Sequence, residues 1–206
     1  MMIVFICYTT HRLLSPLRVS ILIIGRVALA IKPTIYKFRI ALSDMNRGVY
    51  DTLNLTVAMH PSENTERLMA RVLAYCMNVE EFLDFTKGLS AIEEPDIWLR
   101  TLDNQLMLWM DIGEPAFDRI KKASRIAKNV KVYSFNTKSD VWWEQNSAKF
   151  STISANVIQF DHAQIKYLAG LVTRTMEFSV SISDQSAYIA MATDACEVHW
   201  KTLQGA

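Results

Sequence analysis

The period of polar and apolar positions changes several times along this chain, and each change marks an element. Residues 34–42 alternate, which predicts a β-strand. Asp44-Met-Asn46-Arg-Gly48 supplies turn residues, and residues 50–59 form a second strand with Leu53, Leu55 and Val57 on one side, so the pair predicts a hairpin. After Pro61 the period lengthens. Leu68, Met69, Val72, Leu73 and Cys76 make a helical stripe, with Ser62 placed as its N-cap and Glu63 and Glu66 in the first turn, where the helix dipole favours acids. Residues 79–85 read as a second helix that stops near Gly88. Pro115 can open the next helix, which turns Phe117, Ile120, Ala123 and Ile126 inward. A strand over 130–135, a helix over 139–150 with Trp142 and Trp143, a strand over 153–160 and a helix over 163–172 follow. Residues 176–182, 188–191 and 197–200 read as a meander turning at Asp184-Gln-Ser and Thr193-Asp-Ala. No internal repeat is visible. The series predicts an α+β fold, mixed β-sheets with flanking helices.

The spacing in residues 96–111 carries chemistry. Apolar and aromatic runs flank Asp103-Asn104, a pair that tolerates positive φ at a hairpin tip. Pairing about that tip gives partner numbers that sum to 207, which sets Asp96 opposite Asp111 and Trp98 opposite Trp109. Side chains alternate across a strand, so both carboxylates share one face with both tryptophans. Like charges opposed across a ladder repel unless something neutralises them, and a hard divalent cation would do so. Acids near strand ends are also commonly just solvated, so the spacing leaves both readings open.

Composition narrows the classes. The chain has 206 residues, half of them hydrophobic, ample for one core. Its formal net charge of +1 supplies no overall field toward nucleic acid or membrane, so a nucleic-acid surface would be local. Cys7, Cys76 and Cys196 have no metal-ligand spacing and cannot all pair, which fits a reduced, cytoplasmic setting. His11, His60, His162 and His199 form no ligand cluster, so zinc is not indicated. Residues 1–26 are apolar but broken by His11, Arg12, Pro16 and Arg18, too often for a membrane span of about 18 residues.

Several phrases resemble the YaeQ family: Thr34-Ile-Tyr-Lys-Phe38, His60-Pro-Ser-Glu-Asn-Thr-Glu-Arg67, Phe85-Thr-Lys-Gly-Leu89, Glu94-Pro-Asp-Ile-Trp-Leu-Arg100, Leu108-Trp-Met-Asp-Ile-Gly113, Arg119-Ile-Lys-Lys-Ala123 and Trp142-Trp-Glu-Gln145. The resemblance runs from about Val27 to the C-terminus. It implies a PD-(D/E)xK nuclease-like core with a C-terminal antiparallel meander, Pro95-Asp96 and Asp111 being the acids of that pattern. Gly113 stands where the pattern has lysine, a departure that puts catalysis in doubt. It also implies that residues 1–26 are an upstream extension and 27–206 a single domain.

The resemblance proposes a site. Asp96, Asp111 and Glu63 would bind Mg²⁺ or Mn²⁺, and Glu66 would assist; dipole complementarity alone also accounts for the two glutamates. Lys121 or Lys122 would replace the missing lysine and stabilise charge on the phosphate, with Lys87 a third candidate. Lys87, Arg119 and Arg125 would hold phosphates. A solvated basic face explains the same residues without function. Trp98, Trp109, Trp142 and Trp143 could stack bases, although core burial suits at least two of them. His60 reads as structural. Two functions follow: a metal-dependent phosphodiesterase, or a non-catalytic nucleic-acid- or protein-binding regulator on a decayed nuclease scaffold.

Overall fold

The computed structural model describes residues 32–87 and 93–205. The reading of residues 1–26 as an extension, and Gly88 as a helix stop, lie outside them. The alternating stretch forms β1 (Thr34–Asp44), with Tyr36, Phe38, Ile40 and Leu42 buried on its inner side. It pairs antiparallel with β2 (Val49–Met59), from Thr34↔Met59 to Asp44↔Val49. Asp44 ends the strand by accepting hydrogen bonds from the backbone N–H groups of Asn46 and Arg47, and Gly48 takes φ 66°.

Helix α1 (Thr65–Cys76) buries the expected stripe and also Ala70, Arg71 and Ala74. Its cap is not Ser62. Asn64 Oδ1 accepts from Arg67 N at 2.9 Å, while the Ser62 hydroxyl pairs with the His60 ring at 2.7 Å. Glu63 therefore precedes the helix, and Glu66 alone of the two acids lies in its first turn. The helix expected over 79–85 is a turn followed by β3 (Leu83–Phe85), which pairs antiparallel with β4 (Ile97–Arg100). Phe82 has φ 66°, which breaks any helix there, and the pairing with a sheet edge overrides weak local propensity.

The hairpin of β4 and β5 (Leu106–Ile112) keeps the expected register: Ile97↔Met110, Trp98↔Trp109 and Leu99↔Leu108, with Asn104 at φ 65° in the turn. Helix α2 (Phe117–Ile126) starts two residues after Pro115 and buries Ile120 and Ala123; Ile126 is 55% exposed rather than inward. Then come β6 (Asn129–Ser134), α3 (Ser139–Phe150), β7 (Asn156–Phe160) and α4 (His162–Gly170). The expected meander is β8 (Thr175–Ser183), β9 (Ser186–Ala190) and β10 (Ala195–Gln204), paired antiparallel in sequence. It is not a separate sheet. β8 pairs parallel with β1, β10 pairs antiparallel with β7, and one ten-stranded mixed sheet runs β2-β1-β8-β9-β10-β7-β6-β5-β4-β3.

Alternation along β5, β6 and β7 feeds two cores. Met110, Ile112 and Tyr133 join the larger one with α1 and α4, whereas Trp109, Val130, Val132 and Val157 join Ile120, Ala123 and Phe150 in the smaller one. Trp142 and Trp143 pack against Phe150 there. Among the described residues, no helix is long and apolar enough to cross a membrane.

Candidate functional site

The N-terminal end of α1, the start of β4, the end of β5 and the first turn of α2 meet at a chain of acids and arginines. Glu63, Asp96 and Asp111 are all buried. Glu63 Oε1 accepts from Arg67 Nη1 at 3.2 Å, and its Oε2 accepts from Arg71 Nη2 at 3.0 Å and from the His60 backbone N–H. Arg67 continues the chain: its Nη2 lies 2.7 Å from both carboxylate oxygens of Asp96. Asp96 Oδ2 also accepts from Ile112 N at 2.7 Å, which ties it across the hairpin. Asp111 has a separate cation. Arg119 Nε and Nη2 bind its two oxygens at 2.7 and 2.8 Å, a bidentate pair, and Trp109 Nε1 donates to Oδ2 at 3.1 Å. Arg119 Nη2 further donates to the Glu94 carbonyl, and its guanidinium lies 5.4 Å from the Trp109 ring centre.

Burial decides how these charges behave. Arg71 is 2% exposed, and desolvation draws its pKa below the usual arginine value despite Glu63. Desolvation acts on Arg67 too, but Asp96 and Glu63 outweigh it and its pKa rises. Arg119 is raised first by its hydrogen bonds to Asp111. For Asp111 burial is the largest cause and lifts its carboxyl above the ordinary aspartate value, with the Asp96 charge adding to it and Arg119 opposing. A raised folded-state value means that Asp111 favours folding while protonated, below about pH 4, and that this contribution is lost as pH rises through the folded-state value. Asp111→Asn is therefore expected to keep stability within about 1 kcal/mol of the parent at neutral pH, and to flatten the fall in stability above about pH 4. Urea midpoints measured across pH test this. A larger neutral-pH loss would show that the Arg119 pair outweighs burial.

The other sequence-derived candidates lie elsewhere. Lys122 pairs with Glu93 on the surface, and Lys121 is exposed with its Nζ 5.8 Å from the Phe117 ring centre. Lys87 and Arg125 are exposed, and Glu66 is half-buried on α1. Neither lysine of α2 hydrogen-bonds to the acid pair. Among the described residues, no three His, Cys, Asp or Glu side chains gather as a metal-holding group; Arg67 links Glu63 to Asp96, and Asp111 pairs with Arg119. Arg67 and Arg71 did not figure among the sequence candidates. Their spacing was a signal: Glu63, Arg67 and Arg71 recur every four residues along one side of α1 and its lead-in.

Gly113 stands at a position that its backbone reserves for glycine. It has φ 107°, a region that only glycine enters without strain, and its N–H donates to the Tyr133 carbonyl. Glu114 can then clamp the start of α3, accepting from Phe135 N, Asn136 N and Ser139 Oγ.

The acid hairpin and this turn lie within a family signature. The model of the family described as YaeQ protein matches residues 29–200. The chain belongs to the YaeQ family. It is 36% identical over 178 residues to YaeQ of Salmonella typhi, covering 85% of this chain and 98% of that protein, and 35% identical over 180 residues to YaeQ of Escherichia coli K12, covering the same shares. The crystal structure of YaeQ from Xanthomonas axonopodis pv. citri superposes with a TM-score of 0.82 at 31% identity, covering 84% of this chain and 99% of that one. YaeQ from Pseudomonas syringae gives 0.80 at 30%, covering 84% and 97%. The ten-stranded α+β architecture is thus a YaeQ architecture.

Proposed function

We propose that this YaeQ-family chain is a non-catalytic binding protein on a variant of the PD-(D/E)xK nuclease core. The observation that carries this reading is that each acid of the pair already has its own guanidinium: Arg67 on Asp96 and Arg119 on Asp111. In a metal-dependent nuclease those oxygens would face a cation that activates water, and a lysine would steady the charge developing on phosphate. Here Arg67 Nη2 and Ile112 N serve Asp96, Trp109 Nε1 and two nitrogens of Arg119 serve Asp111, and a divalent ion would have to displace an arginine. As they stand, these residues do not fit a Mg²⁺ or Mn²⁺ centre. Nucleic acid is the partner this reading favours, because Lys121 and Arg125 leave exposed positive charge on α2, the helix that also carries Arg119.

One observation favours the second reading, a Mg²⁺- or Mn²⁺-dependent phosphodiesterase using Asp96, Asp111 and Glu63 or Glu66, with Lys121 or Lys122. Arg119 is the most exposed of the three arginines, its side chain 30% accessible, and Asp111 is the acid whose ionisation burial opposes. A substrate phosphate that drew Arg119 away would open the pair.

Incubation with single- and double-stranded DNA and RNA, with Mg²⁺ or Mn²⁺, separates the two. No cleavage is expected, together with binding that weakens as salt rises and weakens further in Lys121→Ala/Arg125→Ala. Metal-dependent cleavage that disappears in Asp111→Asn would overturn the binding reading and establish the second.

A further inference from the structure

A cleft toward the tip of the β4–β5 hairpin holds a cation that the site above does not use. It measures about 520 Å³, within the range of small-molecule pockets, and is lined by Arg47, Asn78, Glu80, Glu81, Phe82 and Lys131 among others. Lys131 points from β6 into the larger core's side of the sheet, level with Met110 of β5. Its Nζ donates to Asn78 Oδ1 at 2.6 Å, a neutral acceptor, and no carboxylate of the described residues forms an ion pair with it. Asn78 is itself fixed. It is buried, and its amide nitrogen donates to the Ala74 carbonyl at 2.7 Å and to the Tyr133 hydroxyl at 2.6 Å. The ammonium is therefore held in one place by a rigid, uncharged support.

A second cation stands near it. Arg47 spends its Nε on Asp44 and its Nη1 on the Val79 carbonyl, and its charge acts against that of Lys131. Desolvation is the larger cause of the low Lys131 pKa, and Glu80 at the rim offsets only part of it. Lys131 is desolvated and donates to a neutral acceptor, Arg47 turns toward the same cleft, and an anion that enters between them gains from both although Glu80 and Glu81 also line it. Phe82 lines the same cleft with φ 66°, a costly conformation for an aromatic residue, and strain of this kind gathers at ligand clamps.

We propose that this cleft binds a small organic oxyanion, a phosphate ester or a carboxylate, with Lys131 as its inner cation and Arg47 at its rim. The site is independent of the reading given to Asp96 and Asp111. Titration of the full chain with inorganic phosphate and with succinate, at constant ionic strength, tests it by shifts of the amide resonances of Asn78, Lys131 and Tyr133. Saturable binding of at least one probe is expected, weakened about tenfold or more in Lys131→Met and largely retained in Lys131→Arg. The tighter probe identifies the class, phosphate or carboxylate. If Lys131→Met does not fold, acetylation of the parent provides the readout: the bound anion should protect Lys131 and leave the exposed Lys121 unprotected. Absence of saturable binding by either probe, unchanged affinity in Lys131→Met, or no protection of Lys131 would overturn the proposal.

Discussion

Glu63→Gln should unfold this protein more easily than any other single charge removal in the acid–arginine chain, with a loss of about 3–5 kcal/mol. Glu63 is the shared anion of Arg67 and Arg71. Arg67 keeps Asp96, but the almost wholly buried Arg71 would lose its ion-pair partner and keep the Ala58 carbonyl and the Phe85 ring face, and its Nε already lacks a hydrogen bond. An uncompensated buried charge is the costly outcome; a missing pair is not, because the desolvation of both partners disappears with them. Glu63→Gln/Arg71→Met should therefore recover much of the loss. Urea midpoints of the parent, the single and the double variants measure it. A single-variant loss below about 1 kcal/mol, the range of ordinary surface changes, would remove Glu63 as the anchor of the chain.

Arg119→Met should turn an unresponsive acid pair into a metal-responsive one. Methionine keeps an apolar stem near Trp109 but removes the two hydrogen bonds and the charge that Arg119 gives Asp111. Without that cation, burial and Asp96 together push the Asp111 carboxyl further up. Stability should then fall as pH rises through the new value, by the same sign argument that applies to the parent. Mg²⁺ or Mn²⁺ would supply the lost positive charge and stabilise the variant by about 2.7 kcal/mol at a hundredfold excess over its dissociation constant. The parent should show no such shift at the same concentration. Thermal denaturation with and without each metal decides the matter. If neither metal stabilises Arg119→Met, the pair has no latent metal site, and the phosphodiesterase reading loses its support.

These two variants probe the difference between an acid pair that waits for a metal and one that is already neutralised. Position alone cannot separate the two states. Asp96 and Asp111 flank a hairpin whose register, Trp98 opposite Trp109, is the one its tip residues dictate. What differs is which side chains arrive from α1 and α2.

Local elements whose pattern repeats within a few residues were legible in the amino-acid order. The β1–β2 hairpin, the α1 stripe, the register of β4 against β5 and the order of the β8–β10 meander all follow from alternation, turn chemistry and helical spacing. The same order also determined the family, because multi-residue phrases survive in it. Boundaries that depend on competition were misread. Ser62 lost the cap to Asn64 because the His60 ring claims its hydroxyl, and residues 79–85 became a turn and edge strand because β4 offers a pairing partner. Long-range packing set the rest. The joining of β8 to β1 and of β10 to β7 into one sheet is a long-range choice that no window of sequence contains. So is the neutralisation of the acids. Arg67 reaches Asp96 across 29 residues of chain, Lys131 reaches Asn78 across 53, and Lys121 and Lys122 stay at the surface although they lie close to Arg119 in sequence. Which cation meets which anion depends on burial and approach angle, and those exist only after the sheet has closed its two cores around them.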